Sequence, residues 1–210
     1  MERDIYTEPV SVDAETIRNL GPLTAMVGVF EGNGLDTHPV AEGTLDEPYR
    51  EQMVLELLDP QLNGPQLLYG LRYHTRVTKA DDGTTFHDQL GYWLWEPSTR
   101  TILQTIAIPR GLVAQASGTA EPDARRFTVK ATFGSPTAGI VAAPFLHENF
   151  RTPEYTITVA TEPDGTLGYE QETLLQIAGR PEPFLHRDRN VLRRVAVAKP
   201  NPAARSVPAR

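Results

Sequence analysis

The chain has 210 residues, no cysteine and a formal net charge of −7. This length predicts a single domain, and the lack of cysteine excludes disulfide bonds, thiolate metal sites and a catalytic thiol. An acidic chain is repelled on average by nucleic acid and by anionic membranes, so we expect neither as a partner. The N-terminus lacks the apolar core of a signal peptide, and no apolar run reaches the ~20 residues that cross a bilayer. We therefore expect a cytoplasmic protein.

The N-terminal part predicts a tail followed by a short helix. Residues 1–11 are polar and show no pattern. Residues 13–20 have the composition of a short helix, with Ser11 or Asp13 as its N-cap and Gly21 at its end. A short helix placed before a run of strands is suited to covering one end of a barrel.

Glycine is unusually frequent in residues 27–39, where it occupies positions 28, 32 and 34. In a strand, such glycines indicate bulges, sharp bends or the close approach of a ligand or another backbone. The spacing superficially resembles a dinucleotide-binding loop, but such a loop opens a helix, and Pro39 prevents one nearby. This segment is therefore predicted to be a strand.

The rest of the chain shows the pattern of short strands separated by turns. Residues 87–111 form two aromatic and β-branched runs joined by a polar turn at Pro97, which predicts an antiparallel hairpin. Trp93 and Trp95 lie two residues apart and so on one face of a strand. Large aromatic side chains on one face indicate a core, and stacking on a flat ligand is the alternative.

The predicted fold is all-β, an antiparallel up-and-down barrel of about ten strands with a short N-terminal helix. No helices alternate with the strands, which argues against a parallel sheet, and a β-sandwich is the competing architecture. A barrel this wide is expected to enclose a ligand cavity. The barrel domain is predicted over residues 12–197, and residues 198–210, rich in Pro, Ala and Arg, are predicted to be a disordered tail.

The glycine-rich strand, Gly28-Val-Phe-Glu-Gly-Asn-Gly34, resembles the Gly-x-Trp-x-Gly-x-Gly motif of the nitrobindins. Phe30 takes the place of the motif's tryptophan, and Thr37-His38 stands where the family has a tyrosine before a proline. The resemblance extends to residues 87–92, to residues 108–118 and to the strand near His186, and so covers nearly all of residues 15–197. It implies a barrel like those of the lipocalins and fatty-acid-binding proteins.

The same resemblance implies a b-type haem at the barrel mouth, with one proximal histidine and an open face for small ligands. Nitrobindins bind nitric oxide and are credited with isomerising peroxynitrite to nitrate, so a peroxynitrite isomerase is implied. The residue that matches the iron ligand is His186. The other residues predicted at the cofactor are Phe30, Gly32 and Gly34 of the motif, together with His38.

Two details of this site stay open in the sequence. His38 is expected near the mouth, either on the distal side of the haem or as an exposed loop residue. Asp188 is two residues beyond His186 on the same face and is a candidate to orient the imidazole, since a ligating histidine needs an acceptor for its second nitrogen.

The sequence also allows a metal site and a haem-free carrier. His74 and His87 are predicted on adjacent strands and could share a metal ion, whereas His147 lies in an irregular segment and has no assigned role. The second functional hypothesis is a haem-free carrier of an apolar or carboxylated small molecule, held by Arg193 or Arg194, of which alternation puts one inside. The sequence leaves a homodimer open.

Overall fold

The computed structural model describes residues 4–205, which form a closed antiparallel barrel of ten strands. The strands are β1 (Gly28–Pro39), β2 (Thr44–Leu57), β3 (Gln61–Asn63), β4 (Gln66–Lys79), β5 (Thr85–Glu96), β6 (Thr101–Ile108), β7 (Leu112–Thr119), β8 (Arg126–Thr132), β9 (Ile140–Ala142), β10 (Phe150–Thr161), β11 (Leu167–Ile177) and β12 (Phe184–Ala196). The helices are α1 (Thr16–Asn19), a 3₁₀ helix (Gly21–Met26), α2 (Pro144–Asn149) and α3 (Pro202–Arg205).

The sheet follows the chain order around the barrel. Strand β1 pairs with β2 and with β12, and pairing of β2 with β4 closes the ring, while the short strands β3 and β9 pair with β4 and β7 outside it. This confirms the predicted up-and-down barrel, because one continuous closed sheet cannot be two packed layers. Among residues 4–205, no helix is long and apolar enough to cross a membrane.

Inward and outward side chains alternate as a barrel requires. On β4, Leu71, Tyr73 and Thr75 are buried, whereas Arg72 and His74 between them are exposed. The two tryptophans of β5 point inward and are each 2% exposed. Their burial, at roughly 25 cal/mol per Å² of apolar surface, makes them a large part of the core.

The N-terminal helices close the barrel end at which β1 begins. Leu20, Leu23 and Met26 are each at most 1% exposed and belong to the main core. The α-helix is shorter than predicted because Gly21 adopts a positive φ of 54° and the chain continues as a 3₁₀ helix. A Cβ at Gly21 would lie 2.6 Å from the Trp95 ring, so this turn and the tryptophan require a glycine.

The C-terminal segment is predicted to be disordered over residues 198–210, but its described part packs on the barrel. Asn201 is 1% exposed, and its side-chain amide donates to Ala14 O at 2.8 Å and to Asp59 Oδ1 at 2.7 Å. One buried polar side chain thus ties the C-terminal segment to the N-terminal one. Residues 206–210 and 1–3 lie outside the described residues.

The glycines of β1 make room for side chains of the neighbouring strands. A Cβ at Gly34 would lie 2.2 Å from Tyr49 Cζ, and a Cβ at Gly32 would lie 2.7 Å from Leu192 Cδ2. The close approach indicated by the sequence is therefore an approach of interior side chains to the backbone of β1.

We expect Gly34→Ala to lower the free energy of unfolding by about 1–3 kcal/mol, the range for forcing a methyl group into a packed interior. The reason is that the Tyr49 ring must move. Chemical unfolding would measure the change, with Gly168→Ala as the matched control, because a Cβ there meets its nearest atoms only at 3.8 Å. Equal stability of the two variants would contradict this account of Gly34.

Candidate functional site

The mouth of the barrel is the end opposite the N-terminal helices, where β1 ends and β12 begins. In the register of these two strands, Asp36 faces Asp188 and Thr37 faces Arg187. The inner face of the mouth consequently carries Asp36 and His38 from β1 and His186 from β12. Of the five residues predicted at the cofactor, His186 and His38 are brought together here.

The carboxylate of Asp36 links the two histidines. His186 Nε2 donates to Asp36 Oδ1 at 2.6 Å, and His38 Nδ1 donates to Asp36 Oδ2 at 2.8 Å. Asp36 is 8% exposed, and burial alone would raise its pKa, but the hydrogen bonds and charges of His186 and His38 outweigh burial and lower it. Asp36 is therefore ionised at neutral pH and fixes a proton on each facing nitrogen.

His186 keeps one ring nitrogen free. Its side chain is 25% exposed, and within residues 4–205 its second nitrogen, Nδ1, has no hydrogen-bond partner. In the neutral form of such an imidazole, the carboxylate holds the N–H and leaves the lone pair of the other nitrogen free, which is the form in which histidine binds metals.

Asp36 is a partner that the sequence did not reveal, since the candidate to orient His186 was Asp188. Asp188 instead accepts a hydrogen bond from the Tyr49 hydroxyl and lies 3.1 Å from the Tyr169 hydroxyl. The spacing along β1 could have indicated Asp36. It occupies an alternate position with Gly32, Gly34 and His38, so the four residues share one face of the strand. The sequence does not give the register of β1 and β12, which places His186 next to Asp36.

His38 lies in β1, not in a loop, and shares Asp36 with His186. It therefore stands beside His186 and not across from it. Phe30 lies at the other end of β1 and is fully buried. Phe30 is six positions before Asp36, which corresponds to about 20 Å along a strand. Gly32 and Gly34 lie between the two, under Leu192 and Tyr49.

His74 and His87 lie on adjacent strands, as predicted, but they cannot share a metal ion because their side chains are on opposite faces of the sheet. His74 is on the outside, 3.2 Å from Asp88 Oδ2. His87 points inward with its Nε2 3.2 Å from Gln89 Oε1, and burial lowers its pKa. Within residues 4–205, no cluster of three or more histidines and carboxylates is arranged to hold a metal ion.

The remaining predicted residues also lie away from the mouth interior. His147 is in α2, where its ring packs against Phe133 at 5.4 Å. Arg193 and Arg194 are both exposed, so the predicted inward arginine is wrong. Arg194 has the same parity as the inward-facing residues of β12, but it lies near the strand end and is exposed. Its guanidinium lies 5.1 Å from the centre of the Phe30 ring, and its Nη2 donates to Ala25 O at 2.5 Å.

A second group of polar residues lies deeper in the barrel. Tyr169 contacts Glu51 Oε2 at 2.8 Å and Asp188 Oδ2 at 3.1 Å through one hydroxyl, and Asn190 Nδ2 donates to Glu51 Oε2 at 2.8 Å. One hydroxyl has one proton, so satisfying both contacts of Tyr169 requires a proton on one of the two carboxyl groups.

Burial, assisted by the charge of Asp188, raises the pKa of Glu51 to about 7 against the opposing hydrogen bonds of Asn190 and Tyr169. Burial also raises the pKa of Asp188. The interior below the mouth is therefore acidic, and it holds at least one proton near neutral pH. None of the lysines and arginines within residues 4–205 is buried. No lysine or arginine side chain in that range therefore offsets the charge of Glu51 and Asp188.

The fold and this mouth define a class of protein: a β-barrel that presents one available imidazole, held by a buried carboxylate, to a cofactor or small molecule. A family model described as "THAP4-like, heme-binding beta-barrel domain" matches residues 19–194. The chain belongs to this family, the nitrobindin family, which confirms the resemblance found in the sequence.

The fold has a counterpart among solved structures. The crystal structure of Rv2717c from M. tuberculosis superposes with a TM-score of 0.58 and 20% sequence identity, over 85% of this chain and 96% of that one. At this identity the likeness shows the shared fold. No curated protein matches the chain at a significant level.

We expect Glu51→Gln to stabilise the protein at pH 8 and to have little effect at pH 5. The native carboxyl holds its proton up to about pH 7 whereas the unfolded one loses it near pH 4.5, so the wild type loses stability as pH rises through this window. Glutamine stays neutral, and the stability difference between variant and wild type should grow by about 2 kcal/mol from pH 5 to pH 8. Urea unfolding at both pH values measures it. The exposed Glu182→Gln is the control, and a pH-independent difference for Glu51→Gln would refute a raised pKa.

Proposed function

We propose that this protein binds b-type haem at the barrel mouth with His186 as the axial ligand. We further propose that the bound haem binds nitric oxide and isomerises peroxynitrite to nitrate. The observation that carries the proposal is the hydrogen bond between His186 and the buried, ionised Asp36 in a member of a haem-binding barrel family. The iron chemistry would be supplied by the haem, and the chain supplies the ligand and its surroundings.

The donor set at the mouth fits this group. A single histidine ligand needs one ring nitrogen that the protein does not occupy, and within residues 4–205 Nδ1 of His186 has no hydrogen-bond partner. Apolar side chains at the same end of the strands, among them Ile108, Leu112 and the buried Ile140, offer a surface for an apolar macrocycle. The fit therefore rests on both the ligand and its apolar neighbours.

Asp36 would act through His186. Its carboxylate fixes which nitrogen carries the proton and restricts rotation of the ring, and its charge raises the basicity of the free nitrogen. His38 shares the same carboxylate, so Asp36 is held from two sides and remains in place when His186 binds another group.

The competing carrier of a carboxylated molecule finds no support in the described residues. Such a carrier needs a cation inside the barrel, but Arg193 and Arg194 are exposed. A carboxylate ligand would also meet Glu51 and Asp188 in the interior, where like charges are poorly screened.

Titration with hemin tests the proposed ligand. We expect the wild type to give a stoichiometric Soret band of a ferric, histidine-ligated haem, and His186→Ala to lose it. The matched control is His74→Ala, which removes an exposed histidine from the outer face of the barrel. If His186→Ala binds hemin as tightly as the wild type and with the same spectrum, the proposed ligand is wrong. Peroxynitrite decay and nitrate yield, measured on the haem-loaded protein, test the activity separately.

A second prediction concerns Asp36. We expect Asp36→Asn to weaken hemin binding by about 10–100-fold, the usual effect of removing a partner that orients a metal-ligating histidine. The Fe(III)/Fe(II) potential should rise, because a less basic imidazole stabilises ferric iron less. Asp88→Asn is the matched control, since Asp88 pairs with a histidine on the outside of the barrel. Unchanged affinity and potential in Asp36→Asn would show that the carboxylate does not act on His186.

A further inference from the structure

Two buried polar atoms within residues 4–205 have no hydrogen-bond partner: Glu51 Oε1 and Thr75 Oγ1. Glu51 is 3% exposed and Thr75 is 7% exposed. Buried polar atoms are almost always paired, because an unpaired one keeps the full cost of its desolvation. Two unpaired atoms in one barrel interior indicate a missing partner.

The two atoms belong to neighbouring positions of the inner wall. Glu51 faces Val77 and Met53 faces Thr75 in the pairing of β2 with β4, so Glu51 and Thr75 are diagonal neighbours on the same face. Diagonal positions are about 7–8 Å apart. That separation suits one small polar group that contacts both side chains.

The carboxyl group of Glu51 is held in place through its other oxygen. Oε2 accepts hydrogen bonds from Tyr169 and Asn190, both at 2.8 Å. Donors from β11 and β12 thereby fix the carboxyl group while Oε1 receives none. A fixed acceptor with a vacant oxygen is suited to a ligand that brings a donor.

The charge of the interior selects the sign of that ligand. Inward-facing carboxyl groups come from three adjacent strands, as Asp36 on β1, Glu51 on β2 and Asp188 on β12. Asp36 is paired with His186 and His38, but no buried lysine or arginine in residues 4–205 balances Glu51 and Asp188. An anion would be repelled in this interior, whereas a cation with N–H donors complements both its charge and the vacant acceptors.

We propose that the barrel contains a second ligand site, in which Glu51 Oε1 and Thr75 Oγ1 accept hydrogen bonds from the ammonium group of a small organic amine. The site lies below the mouth and adjoins it. Glu51 pairs with Gly32, four residues before Asp36 on β1, and one Tyr169 hydroxyl lies between the Glu51 and Asp188 carboxyl groups.

Binding of an ammonium group at this site is coupled to a proton. Glu51 holds a proton up to about pH 7 in the ligand-free protein, and a cation beside Oε1 favours its ionised form. The groups that face Glu51 are Tyr169, Asp188 and Asn190 from β11 and β12, with Tyr49 on its own strand, while β4 offers only Thr75 and Val77. At pH 7, ligand binding should therefore release a proton from Glu51.

Isothermal titration calorimetry with methylammonium chloride tests the site in the full chain without haem. Titrations at pH 7 in phosphate and in HEPES, whose ionisation enthalpies differ, report the proton released. We expect one saturable site, at least tenfold weaker in Glu51→Gln, which folds because glutamine keeps an acceptor for Tyr169. Thr75→Val should weaken binding several-fold, Thr75→Ser should restore it, and Glu182→Gln should leave it unchanged.

Three results would overturn the proposal: no saturable binding of methylammonium to the wild type, equal affinity in Glu51→Gln, or equally tight binding of sodium acetate. Each would leave ordered water as the partner of the two unpaired atoms. Hemin titration of the same variants separates this site from the mouth. A normal Soret band in Glu51→Gln, together with loss of methylammonium binding, is the expected pair of results.

Discussion

Pairing of β2 with β4 closes the sheet, and the rest of the structure depends on this closure. A closed barrel sends every second side chain of each strand inward, so the residues of one parity are enclosed together whatever their polarity. On β1 that parity includes Asp36 and His38, and on β12 it includes His186 and Asp188. The hydrogen bonds at the mouth therefore follow from one register, in which Asp36 faces Asp188.

Two buried carboxyl groups of the barrel have pKa values shifted in opposite directions by their hydrogen-bond partners and neighbouring charges. Asp36 has an imidazole on each oxygen, so its pKa falls despite burial. Glu51 has donors on one oxygen only, so burial prevails and its pKa rises to about 7. One chain thus holds an anion that accepts a hydrogen bond from His186, and below it a carboxyl group that keeps a proton near neutral pH. The difference comes from the kind of partner, since both groups are deeply enclosed: the imidazoles beside Asp36 can carry positive charge, whereas Glu51 has neutral donors and the like charge of Asp188 nearby.

Much of the fold could be predicted from local patterns. Alternation and turn residues predicted the strands, the spacing of Trp93 and Trp95 predicted a shared inner face, and the glycine-rich motif indicated the family. Local patterns failed where the answer depended on a partner far along the chain. Strand alternation predicted an inward arginine, but Arg193 and Arg194 are both exposed, and the carboxylate beside His186 is Asp36 on another strand instead of the nearby Asp188.

The sequence by itself determined an acidic, cysteine-free all-β domain of the nitrobindin type and singled out His186, because periodicity and motifs are local properties of the chain. Only the tertiary structure decided that Asp36 holds His186 across 150 residues of sequence, and that Glu51 and Thr75 are left without partners inside the barrel. These facts depend on strand register and on the number of donors that reach each buried oxygen. Both are set by closure of the barrel, which no single segment encodes.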